Sequence, residues 1–117
     1  MNTAARIAIG VVALLHVYFM IMEMFLWTKP AGLKAFGLTA ERAESSKVLA
    51  ANQGLYNGFI AAGLIWSLMW HEGPHVALFF LTFVVIAGIY GGVTASRKIL
   101  IFQALPAVVA LVLLHIP

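Results

Sequence analysis

Polar interruptions divide the chain into four long apolar runs, at about residues 4–27, 47–70, 75–95 and 98–116. Each is close to the ~20 residues that a helix needs to cross the hydrocarbon core of a bilayer. The pattern therefore predicts four membrane-spanning helices. The longest break, about residues 28–46, holds Lys29-Pro30, Gly32 and Gly37, followed by Leu38-Thr39-Ala40-Glu41-Arg42-Ala43-Glu44. Thr39 is placed there to cap a short surface helix. The other breaks, His71-Glu72-Gly73-Pro74 and Ser96-Arg97-Lys98, read as tight turns. The first run ends in Phe25, Leu26 and Trp27 and offers no small-residue cleavage site, so it reads as a retained helix and not as a signal peptide.

Composition sharpens this picture. Of 117 residues, 63% are apolar and 9% are charged, and the mean hydropathy is +1.02. Soluble domains are about 45–50% apolar and about 25% charged. A soluble domain this short buries only a modest part of its surface, which excludes a water-soluble fold. The expected architecture is one all-α domain, a membrane-spanning four-helix bundle. The absence of cysteine removes disulfides, thiolate nucleophiles and sulfur-ligated metals from consideration.

Charge sets the expected orientation. Lys29, Lys34, Arg42, Lys47, Arg97 and Lys98 lie in the first and third loops, against Arg6 alone on the opposite side. Positive loops resist translocation, so those loops are expected in the cytoplasm and both termini on the outer side. This sorting also accounts for the +3 net charge, and such dispersed charges form no nucleic-acid footprint. Trp27, Trp66 and Trp70 fit aromatic anchors at the membrane surface.

Within the spans, the polar residues fall at related depths. Glu23 lies four residues before Trp27, Asn52 and Gln53 five and six after Lys47, Tyr90 seven before Arg97, and Gln103 five after Lys98. At about 1.5 Å per residue, all sit roughly 6–10 Å inside the cytoplasmic boundary. Asn57 is slightly deeper and Thr94 slightly shallower. At about 100° per residue, His16, Met20, Glu23 and Trp27 share one stripe of the first helix, and Asn52, Gln53, Tyr56 and Asn57 share an arc of the second. Polar groups in hydrocarbon generally face a bundle interior or a wet cavity, so Glu23, Asn52, Gln53, Tyr56, Asn57, Tyr90, Gln103 and His16 form the expected ligand-binding set. The bland alternative is equally physical: amides serve as packing glue between helices, and a buried neutral His16 bonds to a neighbour.

Small residues suggest packing faces. Gly54, Gly58 and Ala62 form a small-xxx-small ladder, and Gly88 and Gly92 repeat it. These faces are expected to mediate homo-oligomerisation. Pro106 is placed to kink the fourth helix and free a carbonyl. His71-Glu72-Gly73-Pro74-His75 matches HExxH literally, but a zinc site of that kind needs both histidines on one continuous helix. Gly73-Pro74 interrupts it, and Pro74 suits the first turn of the third span. No metal site, catalytic residue or cofactor is assigned.

The residues His16-x-Tyr18-x-Met20-x-x-Glu23-x-Phe25-x-Trp27, Asn52-Gln53-Gly54-Leu55-Tyr56-Asn57-Gly58 and Ala87-Gly88-Ile89-Tyr90-Gly91 resemble the bacterial family known as domain of unknown function 1304, over nearly the whole chain. That resemblance implies a four-helix, multi-pass protein of the bacterial cytoplasmic (inner) membrane, with no settled activity. The chain is more distantly similar to the membrane-associated eicosanoid and glutathione metabolism (MAPEG) proteins, which have four helices, outward termini and a ligand site near the cytoplasmic face. Their second helix carries a basic residue followed by Asn-x-x-Glu. Lys47 and Asn52 can be placed on that motif, whereas its glutamate position falls on Leu55.

Three functions fit the polar layer. It can hold a small polar or amphipathic ligand entering from cytoplasm or membrane lipid. Glu23 can serve a small proton-coupled exporter, as in the small multidrug resistance transporters that this arrangement resembles, although the long first loop departs from them. Or the layer can fasten a structural, partner-stabilising membrane protein.

Overall fold

The computed structural model describes residues 1–117 and is all-helical. Helix α1 spans Thr3–Met24, α2 Pro30–Phe36, α3 Ala40–Met69 and α4 Gly73–Thr94; the last helix, α5, spans Arg97–Leu114. Four of these, α1, α3, α4 and α5, are long and apolar enough to cross a membrane, the components of a four-helix membrane bundle.

The boundaries differ from the sequence pattern at informative places. Helix α1 stops at Met24, so Phe25, Leu26 and Trp27 form a turn. Thr39 does cap a helix, its Oγ1 accepting from the Arg42 amide at 3.2 Å. That helix is no separate surface element, however: it runs unbroken into the second span as α3, 30 residues long. Nothing in Ala40–Lys47 breaks it, since Ala40, Glu41, Arg42, Ala43, Glu44 and Lys47 are good helix formers, the segment has neither Gly nor Pro, and the hydroxyls of Ser45 and Ser46 bond back to Arg42 O within the helix. The short α2 is a helix that the hydropathy pattern does not predict. Pro30 opens it in its first turn, and Gly37 closes it in the left-handed region at φ 63°, with the Leu38 amide donating to Leu33 O at 2.9 Å. This is a glycine-terminated helix end.

The contacts within the chain gather into two compact units. The first comprises Met1–Leu15 and Ile60–Pro117. Its buried core is Ile9, Val12 and Ala13 of α1, Leu64 of α3, Ala77, Leu81 and Val84 of α4, and Ala107 and Ala110 of α5. In a bilayer these residues gain little by leaving lipid; close packing of small side chains drives their association. Gly88 shows how close: a methyl group there would sit 2.7 Å from the Ala104 backbone nitrogen and 2.8 Å from its Cβ. Ala104 belongs to a π-helical turn, Leu100–Ala104, within α5. The Leu105 amide reaches back five residues to Leu100 O. This wide turn directly precedes Pro106, whose ring cannot fit the ordinary ladder and which has no N–H to give it. The proline expected to kink the fourth helix is thus accompanied by a π turn.

The same unit ties its helix ends. Asn2 Oδ1 accepts from the Ala5 amide at 2.7 Å and caps α1. Asn2 Nδ2 donates to Leu113 O at 2.9 Å and to Ile116 O at 2.7 Å, satisfying carbonyls at the end of α5. Arg6 Nη2 donates to Leu68 O at 2.9 Å, near the end of α3. Terminal carbonyls left open by the helix geometry acquire partners in this way.

The second unit, His16–Phe59, contains the end of α1, all of α2 and most of α3. Gly32 brings α2 against the turn that follows α1: a methyl there would lie 2.0 Å from Leu26 O. Trp27 packs on Phe36 with the ring planes tilted by 47° and the centroids 4.8 Å apart, and donates its indole N–H to Ser46 Oγ at 3.1 Å. The turn after α1 is therefore held by both neighbouring helices.

Candidate functional site

Of the expected ligand-binding residues, two meet. Asn57 Nδ2 donates to Glu23 Oε1 at 2.5 Å. Glu23 is 4% exposed, and Asn57 is half-buried. The glycines beside Asn57 create this approach. A methyl at Gly54 would lie 2.8 Å from Met24 Cγ, 3.0 Å from Glu23 Cβ and 3.1 Å from Met20 O, and one at Gly58 would lie 2.6 Å from Met20 Sδ. Gly54, Asn57 and Gly58, at spacings of three and four, form the stripe of α3 that faces α1 in this unit.

The glutamate is held asymmetrically. Every fully buried side-chain nitrogen or oxygen in the chain has a partner. Oε1 takes the Asn57 bond, and Oε2 makes no hydrogen bond within the chain, so an edge of Oε2 reaches the protein surface. A carboxyl group almost wholly enclosed, with one oxygen fixed and the other open, can accept from one donor or pair with one cation.

The remaining residues are placed otherwise. Asn52 and Gln53 are exposed, and Tyr56 is 61% exposed, packing edge-on against Phe59 at 5.7 Å. They lie on the part of α3 turned away from Glu23, because the helix rotation that directs Gly54 and Gly58 to α1 carries Asn52 and Tyr56 outward. His16 is 1% exposed and meets Phe19 edge-on at 5.4 Å. In the other unit, Tyr90 is 71% exposed and Gln103 lies half-buried in the π turn. Thr94 donates its hydroxyl to Tyr90 O at 2.7 Å, an intrahelical bond.

The glycine faces meet neighbours within the chain. Gly54 and Gly58 pack on α1, while Gly88 and Gly92 pack on Ala104 and Leu100 of α5; all four meet neighbours of the same chain. At the α3–α4 turn, His75 Nδ1 and Glu72 Oε2 are 2.8 Å apart and exposed. Helix α4 begins at Gly73, with Pro74 in its first turn, so His71 precedes the helix that carries His75. Shallow apolar grooves of about 280 and 370 Å³ lie on unit one, lined by Trp66, Phe79 and Phe83 among others. Leu55, at the position of the glutamate in the glutathione-enzyme motif, is 42% exposed.

Comparison with known proteins bears on the first of the two resemblances. The chain is 32% identical over 104 residues to the uncharacterized protein YpaA of Lactococcus lactis subsp. lactis (strain IL1403), covering 86% of this chain and 87% of that protein. No solved structure matches. The family model described as protein of unknown function (DUF1304) matches residues 10–115, and the chain belongs to that family of proteins.

Proposed function

We propose that this is a multi-pass protein of the bacterial cytoplasmic membrane that binds the polar head of a small amphipathic molecule at Glu23. The head carries a cationic or hydrogen-bond-donating group, and Asn57 fixes the carboxyl to receive it. The observation that supports this reading is the enclosed Glu23 with Oε1 bonded to Asn57 and Oε2 without an intrachain partner. Ionisable side chains within spans are rare, and their usual role is functional. The excess of Lys and Arg in the first and third loops supports placing the end of α1 toward the cytoplasm and both termini outside. Glutathione chemistry is not included, since Leu55 supplies neither charge nor hydrogen bond.

The test is a thermal-shift screen of detergent-purified protein against amphipathic amines, quaternary ammonium compounds, lipids and glutathione, repeated on Glu23→Gln. The variant keeps an oxygen for Asn57 and removes the capacity for charge. A ligand that binds the folded state raises the melting temperature by mass action. The expected result is a stabilising amphipathic amine whose effect disappears in Glu23→Gln. If no compound stabilises the protein, the reading is wrong. A structural reading then takes its place, supported by the tight seating of Gly54 on Met24 and Glu23; it expects Glu23→Gln to melt earlier with no change in any binding.

A further inference from the structure

Helix α3 has a second polar surface, distinct from the one that meets Glu23. Leu49, Asn52, Gln53 and Tyr56 fall within an arc of about 100°. All four are exposed, Leu49 at 76% and Tyr56 at 61%. Asn52, Gln53 and the Tyr56 hydroxyl make no hydrogen bond within the chain, although Trp27, Ser46, Asn57 and Thr94 do. Counting from Lys47, the three polar residues lie five, six and nine positions into the span. That places them roughly 7–14 Å beyond Lys47 along the helix.

Hydrocarbon has no donor or acceptor for these groups, so polar side chains at such depth face protein or a water-filled cavity. The folded chain leaves this arc exposed, and the partner must come from outside it. Each primary amide offers two N–H donors and one acceptor oxygen. An amide pair is therefore complementary to a copy of itself. Within the span the arc carries no charged residue, so two copies meeting there bring no like charges together. A two-fold axis beside α3 would present the same residues from both chains.

We propose that the Leu49–Asn52–Gln53–Tyr56 arc of α3 is the contact surface for a second copy of this chain, with Asn52 and Gln53 exchanging amide hydrogen bonds across it. The interface uses the outward face of α3, because the glycine faces are already filled by α1 and α5. It is independent of any ligand at Glu23, which lies on the opposite side of α3.

The native absence of cysteine gives a direct test. Leu49→Cys places one thiol in the centre of the arc with both amides intact. Val93→Cys places one on α4, at a position 78% exposed, as a measure of random collision. Membranes containing either variant are oxidised with copper phenanthroline and analysed for a disulfide-linked species of twice the chain mass. The expected result is a linked dimer from Leu49→Cys, little from Val93→Cys, and loss of the dimer when Asn52→Leu and Gln53→Leu are added to Leu49→Cys. Melting curves confirm that the triple variant remains folded. Equal crosslinking from both single variants, or none from Leu49→Cys, overturns the interface. Persistence of the dimer without the amides overturns their role in it.

Discussion

Replacing Asn57 with Leu removes the donor of the 2.5 Å bond to Glu23 Oε1 and leaves a carboxyl 4% exposed with no hydrogen bond in the chain. Hydrogen bonds to charged groups contribute about 1.5–3 kcal/mol in soluble proteins. Interhelical bonds measured inside membranes average about 0.6 kcal/mol and reach about 1.7 kcal/mol, because a chain unfolded in the bilayer also finds partners. The depth of burial and short distance place this pair at the upper end of the membrane range. Asn57→Leu should therefore destabilise by about 2 kcal/mol in total, with about 1–1.7 kcal/mol as specific coupling to Glu23. The coupling is read from a double-mutant cycle of Asn57→Leu, Glu23→Leu and the double variant, each unfolded in mixed micelles and followed by tryptophan fluorescence. Removing both partners should cost less than the sum of the single changes, since neither is left unpaired. Additivity within about 0.3–0.5 kcal/mol, the scatter of independent sites, would refute the claim that this bond organises the site.

Three further outcomes follow from the packing and the caps. Gly88→Val should destabilise by at least about 1–3 kcal/mol, because the first added carbon meets Ala104 at 2.7–2.9 Å where contacts prefer about 3.5–4.0 Å; the same unfolding titration reads it. Gly37→Ala forces an alanine into φ 63° at about 1–2 kcal/mol, and should accelerate proteolytic cleavage near residues 30–38 without changing the melting temperature of the spans. Asn2→Ala removes a helix cap worth about 0.5–2 kcal/mol and both bonds to the end of α5. Hydrogen exchange should then quicken at the Ala5 amide and around residues 113–116 together, whereas quickening at Ala5 alone would show that the tie to α5 contributes nothing.

The sequence by itself determined the solvent and the number of spans. A run of about 20 apolar residues has one low-energy fate in a bilayer, because every backbone group must bond within the segment. Thr39 as a cap, Pro74 in a first helical turn and Glu23 as a carboxyl that needs a partner from a neighbouring helix were legible for the same reason: each expresses a local rule of helix geometry or the expense of polarity in hydrocarbon. Rotation of one helix about its own axis obeys no local rule. Asn57 lies at the edge of the arc shared with Asn52, Gln53 and Tyr56, and only the seating of Gly54 and Gly58 on Met20 and Met24 turns Asn57 to Glu23 and leaves the others outside. The glycine ladders had the same ambiguity, since a small face fits a neighbour in the same chain as well as one in another copy. Asn2 was silent in the sequence because its partners, Leu113 and Ile116, lie more than a hundred residues away and only tertiary structure brings them within reach. Periodicity specifies which residues share a face; the choice of the face that meets a neighbour is made by how closely two backbones can approach.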